Sequence, residues 1–426
     1  MTVTCHELST SRVSSVEHYI ASMTSSTAGQ MMLAAALIIG IATACQIIAP
    51  RLRIPALILL LPAGFLLGVV APELRVTEIL GGAFPVLVDL VVAVILFQGG
   101  LELNAISLHG IDRRIVRRLV WTGGAMTFIG ATAVAHVIIG LDWPIAFMLG
   151  AILIVSGPTV VTPILDFAGL KGRVRGILQW EGTLLDPIGA LVAVVAFQVV
   201  RASGAESWGD AVLSFVVGIL VGVLAAGLGV LLFTAGGRLA RGNSMLGTQV
   251  LLGSVIVAAG LANMVVDNAG LIAALLMGMV APRIAARFGA SMDTSRPFFG
   301  TIVSIGIGVL FVSIAALVEA PMLTSVLMPT LAMALILIFV LRPLVVLVAT
   351  VRTDLPRRER FFVACMDPRG IVAAATASSV GAALVTLSVP GAEELLPVAF
   401  LIVAVTVTVY GLSALPIARW LGLTTP

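Results

Sequence analysis

The stretch Glu-Gly-Thr-Leu-Leu-Asp-Pro-Ile-Gly at residues 181–189 decides how the rest of this sequence is interpreted. It lies in a largely apolar run from Ile177 to Val200 and contributes two carboxylates, Glu181 and Asp186. An ionisable side chain at the centre of a bilayer costs roughly 2.5–3.5 kcal/mol on insertion scales, and such residues usually mark a functional site. At about 100° per helical residue the two carboxylates diverge by about 140°, which favours separate roles for them.

The composition of the whole chain places this stretch in a membrane protein. Of 426 residues, 60% are hydrophobic and 11% are charged, whereas soluble domains carry about 25% charged residues. The three cysteines and four histidines are scattered, which argues against a disulfide framework, a histidine-based hydrolase and a His-ligated metal site. No nucleic-acid partner is expected from the net charge of +3, because the charges sort by membrane side.

Apolar runs of about 20 residues are long enough to cross a bilayer, and they predict an all-α polytopic protein with about thirteen transmembrane helices. The predicted spans are 31–49, 53–71, 84–100, 114–139, 143–168, 175–201, 209–234, 246–264, 267–282, 297–318, 322–350, 359–387 and 394–418. They form one membrane domain over residues 31–418. Residues 1–30 are expected to be an extracytoplasmic tail, and residues 419–426 a short cytoplasmic tail without a regulatory domain.

The basic residues predict the orientation of these spans. Nineteen of the 24 lysines and arginines fall in or beside alternate loops, beginning with the loop after the first span. Cytoplasmic loops are enriched in arginine and lysine. The N-terminus is therefore expected outside and the C-terminus in the cytoplasm, as an odd number of spans requires. The expected location is the cell (inner) membrane, with lipids around the helices.

Two spans are interrupted in the middle. The fifth is broken by residues 154–163, Ile-Val-Ser-Gly-Pro-Thr-Val-Val-Thr-Pro, and the twelfth by residues 366–370, Met-Asp-Pro-Arg-Gly. Proline and glycine free backbone groups that lipid cannot satisfy. Spans 5 and 12 are equivalent if spans 1–6 and 8–13 form two inverted six-helix repeats. Interrupted helices at equivalent positions of such repeats indicate the midplane binding site of a transporter.

A carboxylate at such a site can hold either a proton or a small hard cation, but not both. Hard cations prefer oxygen ligands. Asp186 would supply the charge and act as the ligand of the transported cation. Ser156, Thr159, Thr183 and the freed carbonyls around Gly157 could supply the remaining oxygens. No other cofactor is expected.

Five stretches together carry a resemblance to a known family. They are Arg-Ile-Pro-Ala-Leu-Ile-Leu-Leu-Leu-Pro-Ala-Gly from residue 53, Ile-Leu-Phe-Gln-Gly-Gly-Leu-Glu-Leu at 95–103, Ser-Gly-Pro-Thr-Val-Val-Thr-Pro-Ile-Leu at 156–165, the stretch 181–189, and Asp-Pro-Arg-Gly-Ile-Val-Ala-Ala-Ala at 367–375. In this order the chain resembles the membrane domain of the monovalent cation:proton antiporter superfamily, the sodium/proton exchangers with an NhaP-like membrane domain. The resemblance departs at Ser156-Gly157-Pro158, where the family often has Thr-Asp-Pro, and at Leu185 and Gly182.

The resemblance implies a fold, an assembly and residue roles. It implies a homodimer in which the dimerisation part comprises spans 1–3 and 7–10. The core part, about 114–201 and 322–418, would slide as an elevator, with the unwound parts of spans 5 and 12 crossing beside Asp186. Asp186 matches the family's ion-binding aspartate, and Glu181 and Arg369 match its buried ion pair.

Two other charged residues inside predicted spans are secondary candidates for the site. Arg342 is expected to snorkel or to bind a carbonyl, with an inter-helix ion pair as the alternative. Asp367 is expected to cap the second half of span 12 or to line the cavity, with cation ligation as the alternative.

These patterns predict a secondary active transporter that exchanges sodium for protons one for one. A potassium/proton antiporter is the alternative within the same class. A cation channel would need a polar pore or a ring of carbonyls, and the sequence has no filter-like loop. An intramembrane enzyme would need paired catalytic groups, and the divergence of Glu181 and Asp186 argues against this. The chain is therefore not expected to be an enzyme.

Overall fold

A computed structural model describes residues 27–71, 83–105, 110–202, 207–239, 243–287 and 295–424. Most of the expected N-terminal tail, residues 1–26, lies outside the described residues, and residues 27–30 already belong to the first helix. Of the expected C-terminal tail, residues 425–426 lie outside them, and the last helix continues to Leu421.

The described residues form helices in the order that the sequence predicts. The uninterrupted helices are α1 (Thr27–Leu52), α2 (Leu57–Val70), α3 (Ala83–Ala105), α4 (110–139), α6 (Arg173–Ala202), α7 (Ser207–Leu239), α8 (Ser244–Val265), α9 (Ala269–Arg287), α10 (Ser295–Ala315), α11 (Ala320–Ala349) and α13 (Leu395–Leu421). Two elements are interrupted: α5a (Trp143–Ile152) with α5b (Pro158–Phe167), and α12a (Arg357–Ala364) with α12b (Ile371–Thr386).

The predicted all-α polytopic fold is confirmed. Within the described ranges, ten helices are long and apolar enough to cross a membrane. The 14-residue α2 and the two interrupted elements complete the predicted thirteen. The main difference lies in the fifth element, where the break covers only 153–157 and Pro163 lies within α5b. The helix tolerates Pro163, but the proline cannot supply the N–H that would pair with the Thr159 carbonyl.

The helices pack as two groups. Helices α1–α3 and α7–α10 pack chiefly on one another, and α4–α6 pack chiefly with α11–α13. Small residues allow the closest approach in the first group: a Cβ at Gly100 of α3 would lie 2.5 Å from the Leu275 carbonyl oxygen of α9. In lipid, such close van der Waals packing replaces the hydrophobic effect as the force that joins helices.

Equivalent helices of the two six-helix repeats are irregular in the same way. α5 and α12 are both interrupted, and the helices that precede them both contain π turns, at Leu119–Gly123 and Ala135–Ile139 in α4 and at Leu337–Leu341 in α11. A π turn inserts one residue into a helix and is frequent at functional sites. The turn in α11 ends immediately before Arg342.

Contacts of α4 and α6 with each other and with the loop after α11 define the arginine-rich end of the bundle. This end comprises the N-terminal ends of α4, α6 and α12a. Arg118 donates to the Val351 carbonyl oxygen at 2.6 Å, and Arg173 forms salt bridges with Asp112 at 2.6 Å and Asp354 at 3.1 Å. The C-terminal part of α3 lies toward this end, since Glu102 contacts Gln179 of α6.

Candidate functional site

The two helix breaks cross each other in the middle of the bundle. The Ser156 hydroxyl donates a hydrogen bond to the Pro368 carbonyl oxygen at 3.3 Å. A Cβ at Gly370 would lie 3.2 Å from the Gly157 nitrogen and 3.3 Å from the Thr159 hydroxyl oxygen. The backbone of one break therefore rests directly on the other, as expected for crossed discontinuous helices.

Helix α6 presents a face of small residues and one carboxylate to this crossing. Gly182, Asp186 and Gly189 lie at positions i, i+4 and i+7, which share one side of a helix. A Cβ at Gly182 would lie 3.3 Å from the Ser156 carbonyl oxygen, and one at Gly189 would lie 3.0 Å from the Val155 nitrogen. The glycines thus let the unwound 153–157 segment lie against α6 at the level of Asp186.

Asp186 is completely buried where this segment meets α6. A Cβ at Gly157 would lie 2.7 Å from its Oδ2 and 3.0 Å from its Oδ1. Among the residues that the structure describes, neither carboxylate oxygen has a hydrogen-bond partner, and the buried Thr159 hydroxyl beside the crossing has none either. Buried polar groups are normally paired, so these three oxygens form an unsatisfied polar site at the helix crossing.

The other predicted oxygen ligands differ in how close they lie to Asp186. Thr183 lies one turn before Asp186, and its methyl group faces Gly99 of α3, so that α3 closes this side of the site. Pro187 cannot supply the N–H that the Thr183 carbonyl would otherwise accept. Of the predicted set, the structure therefore brings Asp186, Gly157, Ser156 and Thr159 together, with Thr183 adjacent.

Glu181 is paired with Arg342 of α11, and the predicted Glu181–Arg369 pair is wrong. Arg342 donates through Nη1 to Glu181 Oε1 at 2.6 Å and through Nη2 to Oε2 at 2.9 Å. The two side chains are only 4% and 3% exposed. Arg342 also donates through Nε to the Val363 carbonyl oxygen at 3.2 Å. It thus forms both the carbonyl contact and the inter-helix ion pair that the sequence left open.

Arg369 is held instead by Asp367 of its own segment and by Thr406 of α13. Its Nη2 donates to Asp367 Oδ2 at 2.7 Å, and its backbone N–H donates to the Thr406 hydroxyl at 3.2 Å. Asp367 Oδ1 in turn lies 4.0 Å from Arg342 Nη1. The four charges of Glu181, Arg342, Asp367 and Arg369 therefore form one buried cluster with a formal sum of zero. Asp186 is not part of this cluster.

Comparison with known proteins identifies the family. A family model described as "Sodium/hydrogen exchanger, transmembrane" matches residues 15–420. The chain belongs to this family.

Individual curated relatives share only about a quarter of their residues with this chain. The chain is 26% identical over 340 residues to a K(+)/H(+) antiporter NhaP of Alkalimonas amylolytica, covering 79% of this chain and 58% of that one. It is 25% identical over 398 residues to a K(+)/H(+) antiporter NhaP2 of Shewanella sp. strain ANA-3, covering 91% and 66% respectively. The chain thus spans less than two thirds of the length of these relatives.

A solved structure supports the same fold. The sodium proton antiporter MjNhaP1 of Methanocaldococcus jannaschii, determined at pH 8, superposes with a TM-score of 0.72 over 92% of this chain and 99% of that one. The sequences are 21% identical in this comparison. The sodium/hydrogen exchanger family and the antiporter fold are thereby both established for the chain, as its sequence predicts.

The glycines at positions 157 and 182, which depart from the sodium/hydrogen exchanger pattern, change how closely the backbone approaches Asp186. With glycine at position 157, no side chain stands between the unwound backbone and the Asp186 carboxylate. With glycine at position 182, the Ser156 carbonyl oxygen lies against α6. The backbone thus approaches Asp186 closely in this member of the family.

Glu102 of α3 is a polar group near the site that the sequence motifs did not predict. Gln98 donates to its Oε1 at 3.4 Å and Gln179 to its Oε2 at 3.5 Å, while Arg175 donates to Gln179 at 3.2 Å. These residues connect α3 to α6 near the arginine-rich end. The signal was present in the quoted stretch 95–103, where a glutamate interrupts an apolar span.

Proposed function

We propose that this chain exchanges a monovalent cation for protons across the membrane, with Asp186 binding either the cation or the proton. The observation that carries the proposal is the unpartnered Asp186 carboxylate, fully buried at the crossing of α5 and α12. An isolated ionised carboxylate is very unfavourable in such surroundings. It is therefore occupied by one of two competing ligands, and competition for one site couples the two fluxes.

Oxygen ligands around Asp186 suit a hard monovalent cation. The Thr159 hydroxyl has no partner in the described structure, and the prolines at 163 and 187 free the Thr159 and Thr183 carbonyls from the helical ladder. Ser156 and Thr183 border the same point. Sodium is the first candidate cation. Potassium is the second candidate, because the curated relatives are named K(+)/H(+) antiporters.

The charge balance of the buried cluster supports one-for-one exchange. Glu181, Arg342, Asp367 and Arg369 compensate one another, which leaves Asp186 as the single exchanging carboxylate. One proton or one monovalent cation then neutralises the site completely, and a full exchange cycle moves no net charge.

The packing of the helices supports an alternating-access movement of the elevator type. The core part, about 114–201 and 322–418, carries Asp186, both breaks and the charge cluster. It would slide against α1–α3 and α7–α10, which would also form the homodimer interface. The protein would lie in the cell (inner) membrane with the N-terminus outside and the arginine-rich end in the cytoplasm.

The decisive experiment uses purified protein in liposomes that contain a pH-sensitive dye. A pH gradient is imposed and then challenged with sodium, lithium or potassium, for the wild type, for Asp186→Asn and for the control Asp142→Asn, whose side chain is exposed. We expect a cation to dissipate the gradient in the wild type and the control, and no dissipation in Asp186→Asn.

Three other outcomes would contradict the proposal. Full activity of Asp186→Asn would remove Asp186 from the exchange reaction. Cation flux without proton movement would favour a channel. A wild type that is silent with all three ions would show that the site takes a different substrate.

A further inference from the structure

A second carboxylate, outside the site described above, faces a cavity at the end of the bundle opposite the arginine-rich end. The cavity measures about 210 Å³ and lies between α3, α9, α10 and α12b. Its lining extends from Val372, two residues after the Gly370 crossing, through Thr376 to Ala382. At 1.5 Å per residue this wall of α12b is about 15 Å long, roughly half the thickness of the hydrocarbon core. The cavity therefore runs from the helix crossing toward the Asn268 turn between α8 and α9.

Asp89 of α3 is the charged residue in the lining of this cavity. The Asn263 side-chain amide donates to its Oδ2 at 3.5 Å, and Asn263 is itself held by the Gly270 backbone N–H at 2.7 Å. In the described structure no arginine or lysine forms a salt bridge with Asp89. The charged residue that acts on Asp89 electrostatically is Asp267, in the turn between α8 and α9, and it has the same sign. The negative charge of Asp89 is therefore oriented but not neutralised.

The opposite wall of the cavity carries hydroxyl groups. Thr376, Ser378 and Ser379 of α12b all line it, and the Ser379 hydroxyl donates to the Thr376 carbonyl oxygen at 3.3 Å. A partly hydrated cation is stabilised by such oxygens. The hydroxyl-lined wall belongs to the same element as the break that crosses Gly157, so it leads directly toward the Asp186 site.

We propose that this cavity is the vestibule through which monovalent cations reach Asp186 from the side opposite the arginine-rich end, and that Asp89 concentrates them there. A cleft with one sign of charge and low-dielectric walls raises the local concentration of the opposite ion. Asp89 acts before the transported cation is bound and does not itself coordinate it at the Asp186 site. The inference rests on the proposed exchange function and on the proposed orientation.

The transport test compares the two sides of the membrane. In right-side-out vesicles, Asp89→Asn is expected to raise the KM for the external cation by roughly three- to tenfold, with the maximal rate unchanged. In everted vesicles, where the cation meets the arginine-rich end, the KM should not change. Asp89→Glu should restore the wild-type value. The control Asp142→Asn removes an exposed charge that does not line the cavity.

A labelling test decides the same question without transport. Ser379→Cys, in a background with Cys5, Cys45 and Cys365 replaced by serine, is treated from the outside with membrane-impermeant cationic or anionic thiol reagents. We expect faster reaction with the cationic reagent, and a loss of this preference by roughly three- to tenfold when Asp89→Asn is added.

Either test can overturn the inference. An equal effect of Asp89→Asn on both sides, or no effect on either, would exclude a sided vestibule. An unreactive Ser379→Cys, or a charge preference independent of Asp89, would do the same. If wild-type vesicles show no exchange, the proposed function fails, and the labelling ratio still decides whether Asp89 attracts cations into the cavity.

Discussion

Arg342 holds Glu181 through both of its terminal nitrogens, at 2.6 and 2.9 Å, although the two residues lie 161 positions apart in the chain. This bidentate pair joins α11 to α6 five residues before Asp186. Parallel N–H···O bonds from one guanidinium fix the orientation of a carboxylate as well as its position. The pair therefore sets the place of α6 against the end of α12a, because Arg342 also donates to the Val363 carbonyl oxygen there.

Removing one partner of this pair should destabilise the protein strongly. Glu181→Gln leaves the Arg342 guanidinium buried without its carboxylate, and a broken buried pair typically costs about 3–5 kcal/mol. Thermal unfolding in detergent measures the effect. We expect the double variant Glu181→Gln with Arg342→Gln to recover part of the loss, because neither charge is then left unpaired.

A double-mutant cycle distinguishes this pair from the one that the sequence predicted. Coupling between Glu181→Gln and Arg342→Gln should clearly exceed coupling between Glu181→Gln and Arg369→Gln. Stronger coupling to position 369 would mean that Glu181 changes partner in the membrane.

Gly157→Ala should impair cation binding without unfolding the protein. The new Cβ would lie 2.7 Å from Asp186 Oδ2 and must displace the carboxylate. Overpacking of this kind costs about 1–3 kcal/mol, which corresponds to a roughly five- to 150-fold higher KM for the cation. The matched control is Gly253→Ala in α8, where a Cβ would meet nothing within 4 Å. An unchanged KM in Gly157→Ala would show that the carboxylate points elsewhere during transport.

Thr159→Val should weaken cation binding if the free hydroxyl is a ligand. Valine keeps the shape of threonine but removes Oγ1, which is buried without a partner. The loss of one such contact is worth about 1 kcal/mol, so the KM should rise roughly fivefold. Thr330→Val in α11 is the control, because that hydroxyl is also buried and unpartnered but lies away from the site. Equal effects of the two substitutions would count against a ligand role for Thr159.

The charge balance of the site predicts electroneutral exchange. An imposed membrane potential should leave the initial rate of cation-driven proton movement in proteoliposomes unchanged, whereas an electrogenic exchanger would accelerate with one sign of the potential. The measurement needs the same pH and cation gradients at each potential. A potential that drives exchange without any other gradient would refute one-for-one stoichiometry.

Much of the fold follows from local sequence features. Span lengths, the proline- and glycine-containing breaks and the isolated Asp186 each depend on a short stretch, and hydrophobic length alone predicts the number of helices. Pro158, Gly157 and Gly370 likewise predict the crossing. Backbone groups without hydrogen-bond partners are tolerated in the membrane only where they pack against protein or line a water-filled cavity.

The partner of Glu181 could not be obtained in this way. Two arginines, Arg342 and Arg369, lie away from the ends of predicted spans, and either could reach Glu181. The choice depends on Asp367, which binds Arg369 from two residues away, and on the π turn before Arg342. An inserted residue in α11 changes which side of the helix faces the core, and span-level hydropathy does not detect it.

The formal charges of Glu181, Arg342, Asp367 and Arg369 sum to zero, and this also affects how easily ions would leak across the membrane without exchange. When Asp186 carries a proton or a cation, the moving part of an exchanger with this site is neutral throughout its interior. When Asp186 is empty, the same part holds one bare negative charge, and carrying it past low-dielectric walls adds several kcal/mol to the barrier. The empty carrier would therefore return slowly, and the gradient of one ion would be dissipated only when the other is moved in exchange.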